Sequence, residues 1–103
     1  MSQVIEMVSF NLLSTANEQE FIQASEKSQA FVSTLPGFLY RSLSHNEESG
    51  HWTDTVYWKS MEEAKSAGEQ FMNCADCQPL MSLIDPESVD MKHQVIKMSS
   101  CQG

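Results

Sequence analysis

The run His51-Trp52-Thr53-Asp54-Thr55-Val56-Tyr57-Trp58-Lys59 is dominated by β-branched and aromatic residues and bounded by Gly50 and Ser60, the composition and punctuation of a strand. On a period of two, Trp52, Asp54, Val56 and Trp58 share one face while His51, Thr53, Thr55 and Tyr57 share the other. Neither face is simply polar. A strand apolar on both sides belongs in the middle of a sheet, so the elements before and after it should wrap around it.

Working outward, Val4 to Leu13 alternates Val4, Glu6, Val8 and Phe10 against Ile5, Met7, Ser9 and Asn11, a second strand with apolar groups on both faces. Thr15-Ala16-Asn17-Glu18 fits a capping box, and the helix it opens runs to about Thr34 with Phe21, Ala24, Ser28, Phe31, Val32 and Leu35 as its inner stripe. Leu35-Pro36-Gly37 ends that helix, because Pro36 disfavours helical geometry in the residue before it and Gly37 can take a positive φ. Phe38 to Ser44 predicts a third strand, joined through a short polar link to the central one as an antiparallel hairpin.

Ser60-Met61-Glu62-Glu63 is a second capping box, and the helix after it carries Met61, Ala64, Ala67, Phe71 and Met72 on one side before breaking around Asn73 to Asp76. Pro79 to Ile84 predicts a short extra helical turn, Val89 to Met98 a last strand, and Ser99 to Gly103 a fraying tail. The order β-α-β-β-α-β implies one α+β domain over residues 1–103, ordered from about 4 to 98, folded as a ferredoxin-like sandwich. In that sandwich four antiparallel strands carry the helices on one face, with the first and third strands central. The second face would then be an apolar patch larger than monomers usually expose, and a second copy of the sheet is its simplest cover. One such face amounts to on the order of 800 Å² per partner, the scale of a specific interface.

With 103 residues the chain is long enough for one core and too short for a separate substrate domain. Its formal charge of -8, from 14 acidic and 6 basic residues, repels phosphate backbones and anionic lipid, which argues against nucleic-acid and membrane partners. No stretch approaches the ~20 apolar residues of a membrane span. The first residues, Glu6 among them, lack a basic region before an apolar core, so a cytoplasmic protein is expected. Cys74, Cys77 and Cys101 are an odd set that argues for reduced thiols. Cys74-Ala75-Asp76-Cys77 is a C-x-x-C, and with His93 and Cys101 a zinc ligand set can be written, but a strand His and a tail Cys make a poor second pair. Apolar packing is the expected role of these thiols, and no metal or other cofactor is expected.

The chemistry-bearing candidates are polar groups in mid-strand, where an unpaired charge is costly to bury: Glu6, Arg41, Asp54 and His93. On one sheet face, Glu6, Asp54 and His93 would form a carboxylate–imidazole group able to take a proton from an acidic phenol or enol, with His93 as base and Asp54 as its orienter. Trp58, with Trp52 or Tyr57 according to face, would supply an aromatic wall, and Arg41 is a substrate-binding candidate. The bland reading of the same residues is ion pairing at a dimer seam or toward solvent.

Val56-Tyr57-Trp58-Lys59-Ser60, the Glu-rich helix after it and the upstream Leu35-Pro36-Gly37-Phe38 resemble the dimeric α+β barrel proteins related to antibiotic biosynthesis monooxygenases, over a span from about Val4 to Met98. The resemblance implies a homodimer with sheets face to face and a pocket for a small apolar or aromatic molecule between sheet and helices. It further implies oxidation of such a molecule without metal or flavin as one activity of the family. The haem-degrading branch fits poorly: Asn11 stands for its strand Asn, and is kept as a substrate-binding candidate, but Ala67 and Cys77 fall where its helix Trp and axial His would be. The leading expectation is a cofactor-free monooxygenase acting on a small aromatic or enolisable molecule. The alternative is a non-catalytic ligand-binding or stress-response protein using the same pocket.

Overall fold

A computed structural model describes residues 2–100 of the chain. In order it contains strand β1 (Val4–Phe10), helix α1 (Glu18–Val32), strands β2 (Phe38–His45) and β3 (Trp52–Trp58), and helix α2 (Met61–Met72). The short helix α3 (Gln78–Ser82) and strand β4 (Asp90–Val95) follow, with 3-10 turns at Ala75–Cys77 and Pro86–Ser88. The four strands form one antiparallel sheet in the order β2-β3-β1-β4, so the first and third strands are central, as the split βαβ pattern requires.

Several boundaries differ from expectation for local reasons. Helix α1 is capped by Asn17, whose Oδ1 accepts from the N–H groups of Gln19 at 2.8 Å and Glu20 at 3.2 Å. Thr15 is unavailable for that role because Ser14 and Thr15 form a turn closed by Ala16 N–H donating to the Leu13 carbonyl at 2.9 Å. Strand β1 stops at Phe10 instead of Leu13, since the next residues leave the sheet to meet the segment after α3: Leu13 N–H donates to the Leu83 carbonyl, and Leu12 bridges Ile84. Strand β4 is an edge strand whose only neighbour begins at Val4, so it ends near Val95, short of Met98, with a last bond from Ile96 N–H to the Gln3 carbonyl. Helix α2 begins as its capping box predicts, Ser60 Oγ accepting from Glu63 N–H at 3.2 Å.

One irregularity bears on the site. Phe38 opposes Trp58 while Tyr40 opposes Tyr57, which leaves Leu39 as an extra residue on β2. This β-bulge changes the parity of the strand and puts Phe38 and Arg41 on the same face, the one under the helices. That face also carries Val4, Glu6, Val8 and Phe10 from β1 and Trp52, Asp54, Val56 and Trp58 from β3. Its apolar members form two clusters. One gathers Val4, Val56, Trp58 and Ala64 with the end of α1. The other is centred on Phe10, Phe21, Trp52 and Leu80, with Phe21 packed edge-on to both Phe10 and Trp52. The opposite face, with Ile5, Met7, Tyr40 and Tyr57, has no layer over it among the described residues, and Tyr40 is 59% exposed.

The turn joining α1 to β2 is fixed by Gly37. Its φ is +85°, and a Cβ built there would stand 2.8 Å from Glu63 Cβ, in the first turn of α2. Gly37→Ala therefore meets a left-handed backbone cost of about 1–2 kcal/mol and a steric clash with Glu63. We expect a loss of about 2–3 kcal/mol in urea unfolding, and a loss below about 0.5 kcal/mol would show that α2 yields freely at this contact.

Candidate functional site

The four polar residues expected in mid-strand all lie on the helix-covered face and form a belt across the sheet, one from each strand: Arg41, Asp54, Glu6 and His93 in spatial order. The belt separates the two apolar clusters. It consists of two pairs rather than one triad. Arg41 Nε and Nη2 donate to Asp54 Oδ1 and Oδ2 at 3.0 and 2.7 Å, a bidentate ion pair with the arginine side chain only 5% exposed. Arg41 Nη1 also donates to Ser28 Oγ at 3.0 Å and to Gln29 Oε1 at 3.3 Å. The buried Ser28 hydroxyl in turn donates a hydrogen bond to the Ser25 carbonyl at 2.7 Å, which explains a serine within the inner stripe of α1. The second pair is Glu6 with His93, directly opposite on β4, with Oε2 and Nε2 3.0 Å apart.

His93 is thus oriented by Glu6, and the expected pairing of His93 with Asp54 does not form, because Asp54 is held by Arg41. Burial holds the Glu6 carboxyl above its usual range, opposed by the imidazole of His93, with the Asp54 charge adding to the rise. Trp58 Nε1–H acts on Glu6 in the lowering direction, although it closes no hydrogen bond of ordinary geometry and is the one buried side-chain polar atom without a partner among the described residues.

Above the belt, between sheet and helices, is a cavity of about 400 Å³. Glu6, Arg41, Asp54 and Trp58 contribute to its floor, Val32 and Phe71 reach it from α1 and α2, and its wall is otherwise almost wholly apolar. His93 does not line it and stands on the outer side of Glu6, 21% exposed. Asn11 does not line it either: its N–H donates to Ser88 Oγ at 2.8 Å and its carbonyl accepts from Asp85 N–H at 2.9 Å, a tie at the end of β1. Trp52 belongs to the second cluster, stacked on His45 with ring centres 4.2 Å apart, and Tyr57 is on the open face.

The raised Glu6 carboxyl has a pH consequence with a definite sign. The folded state binds that proton more tightly than the unfolded chain, so the stabilisation is fully present below about pH 4.5 and is lost as pH rises through the folded value. Arg41, Asp54 and His93 are the ionisable neighbours in the belt. In a His93→Gln background, where the opposing imidazole is gone, the stability of the Glu6 protein relative to its Glu6→Gln counterpart should fall as pH is raised through the range above about 4.5. A flat difference in urea unfolding across that range would show that Glu6 is not desolvated.

Among the described residues no three His, Cys, Asp or Glu side chains gather where they could hold a metal ion. Cys74 and Cys77 carry free thiols, and Cys101 lies outside the described residues. Cys77 is fully buried, and burial followed by its contact with Cys74 pushes its thiol up to about 12, so at neutral pH it is a packed, protonated group. Sequence reading missed Ser28 and Gln29 as supports of Arg41, and a hydroxyl within an otherwise apolar helix stripe was the available signal.

No family model matches the chain, and no curated protein matches it. Solved structures do. A cofactor-independent oxygenase from Streptomyces nogalater superposes with a TM-score of 0.71 at 16% identity, covering 99% of this chain and 98% of the other. A monooxygenase from Streptomyces coelicolor in complex with nanaomycin D gives 0.74 at 14% identity, covering 99% and 94%. An antibiotic biosynthesis monooxygenase assigned in Bordetella bronchiseptica gives 0.75 at 15% identity, covering 91% and 96%. Identities this low speak to architecture and not to substrate, and end-to-end coverage leaves no element of the fold unaccounted for. The chain has the α+β, ferredoxin-like fold of the antibiotic biosynthesis monooxygenases.

Proposed function

We propose that the protein is a cofactor-free monooxygenase acting on a small aromatic or enolisable molecule held in the cavity over the belt. The observation that carries this reading is Glu6: a buried carboxyl of raised proton affinity that faces an apolar cavity and is backed by His93. A more basic carboxylate is a better proton acceptor, and the apolar wall excludes the water that would compete for its lone pairs. Glu6 takes the proton from an activated C–H or O–H, and His93 orients the carboxyl and gives the proton a way out to solvent. The resulting electron-rich anion reduces O2. For an activated methylene, the carbon gives up both hydrogens and gains a carbonyl oxygen. One O2 is consumed and one water released, the substrate supplying all four electrons that O2 accepts. Trp58 lies beside Glu6 on the cavity floor and gives the substrate an aromatic surface there. Arg41 and Asp54 satisfy each other and fix the shape and charge of the floor. The names of the two Streptomyces structures, a cofactor-independent oxygenase and a monooxygenase, support the same assignment.

Two copies are proposed to pair through the open sheet face. The reading also places the protein in the cytoplasm, supported by the free thiols of Cys74 and Cys77.

Oxygen uptake with a panel of polycyclic phenols, hydroquinones and activated methylene compounds, corrected for autoxidation, tests the activity. At least one compound should be turned over, and Glu6→Gln should lower kcat by about 10²-fold or more. Uptake that survives both Glu6→Gln and His93→Ala would remove these residues from the reaction. Tight binding without uptake across the panel would instead favour a carrier using the same cavity.

A further inference from the structure

Helix α2 places Gly68 beside Ala67 on the wall of the cavity. A glycine inside a helix is costly to helix stability relative to alanine, so its presence calls for a reason. The usual two are absent. Positive φ among the described glycines is confined to Gly37 and Gly50, so the backbone at 68 is open to any L-residue. Nor is there a close approach: a Cβ at 68 would meet no heavy atom within 4 Å. What the missing side chain leaves is room, and that room is part of the cavity. The same cavity is lined by the Glu6 carboxyl and the Trp58 ring, so the space beside Gly68 is continuous with the floor that carries the belt.

We propose that Gly68 is the size-determining position of the cavity, its hydrogen side chain admitting polycyclic molecules that any larger residue at 68 would exclude. An apolar cavity of about 150 Å³ takes benzene, so the 400 Å³ here has room for more than one ring. A side chain at 68 would grow into that volume from the helix side, opposite the sheet floor that carries Glu6 and Trp58. The proposal rests on the reading that the cavity binds flat aromatic molecules, and it makes discrimination by ring count a property of one residue on α2 and not of the belt.

The test is equilibrium binding of 2-naphthol and 2-hydroxyanthracene, followed by quenching of intrinsic tryptophan fluorescence, to the native chain, Gly68→Ala and Gly68→Leu. Gly68→Ala should unfold at or above the native Tm, since it removes a helical glycine without a clash, and the Gly68→Leu melt is measured alongside as the check that the fold is kept. Gly68→Leu should bind 2-hydroxyanthracene at least tenfold more weakly while its affinity for 2-naphthol stays within twofold, with Gly68→Ala between. Affinity for 2-hydroxyanthracene within twofold of native in Gly68→Leu would overturn the proposal, as would an equal loss for both probes, which would mark a merely structural disturbance. A native chain that binds neither probe would overturn the cavity reading itself and this proposal with it.

Discussion

Asp54→Ala is expected to destabilise the protein by about 3–5 kcal/mol, a large part of the roughly 5–15 kcal/mol that holds a domain of this size. The magnitude follows from what is left behind. Both Asp54 oxygens are engaged by Arg41, at 3.0 and 2.7 Å, and the arginine side chain is 5% exposed. Removing the carboxylate leaves a buried guanidinium with Ser28 and Gln29 as its remaining acceptors and no counter-charge. The opposite outcome holds for removing both partners. Arg41→Met with Asp54→Leu should recover most of the loss, because an apolar pair of similar volume avoids the desolvation that the ion pair only offsets. Urea unfolding of the two singles and the double forms the cycle, and near-additive losses would show that the pair is not coupled. For activity, the double variant separates a structural role of the pair from a role in binding: its kcat should stay within about tenfold if the belt's chemistry resides in Glu6 and His93.

Sedimentation at micromolar concentration is expected to give about twice the 11.6 kDa chain mass, and Ile5→Lys combined with Tyr57→Lys is expected to return it to the mass of one chain. Ile5 and Tyr57 sit opposite one another on the two central strands, on the face with no covering layer, with Tyr40 packed edge-on to Tyr57 beside them. At ~25 cal/mol per Å² of apolar area, covering such a face contributes many kcal/mol against association costs of roughly 4–15. The net charge of -8 per chain opposes pairing, but charges are screened beyond ~8 Å at physiological salt. Two buried lysines facing their symmetry mates would reverse the balance. A native chain that sediments as a stable monomer would leave this apolar strip without a function.

The fold was legible because the information was periodic. Alternation in the β1 and β3 segments and the Ser60 capping box are local patterns, and each was realised within a few residues. The cap of α1 was misplaced because a local turn at Ser14 and Thr15 takes Thr15 out of that role and leaves it to Asn17. The site was legible as residues but not as pairs. Charges in mid-strand announced Glu6, Arg41, Asp54 and His93, yet their partners depend on strand order and register. Arg41 reaches Asp54 only because the bulge at Leu39 turns it inward, and nothing in Phe38-Leu39-Tyr40 announces a bulge. Asn11 was carried by resemblance alone, and its backbone proved to be occupied by the segment around Ser88.

The belt also acts on the sheets this chain does not form. A slip of one residue between β3 and its neighbours would keep most strand hydrogen bonds and still present apolar side chains to both faces, so hydrophobicity alone discriminates poorly among registers. The charged residues supply the missing discrimination. Slipping β3 would carry Asp54 to the opposite face and strand Arg41, and slipping β4 would separate His93 from Glu6. Each misregistered sheet would bury a charge without its mate, at several kcal/mol. The belt thus works as a parity check on strand alignment, read once across all four strands.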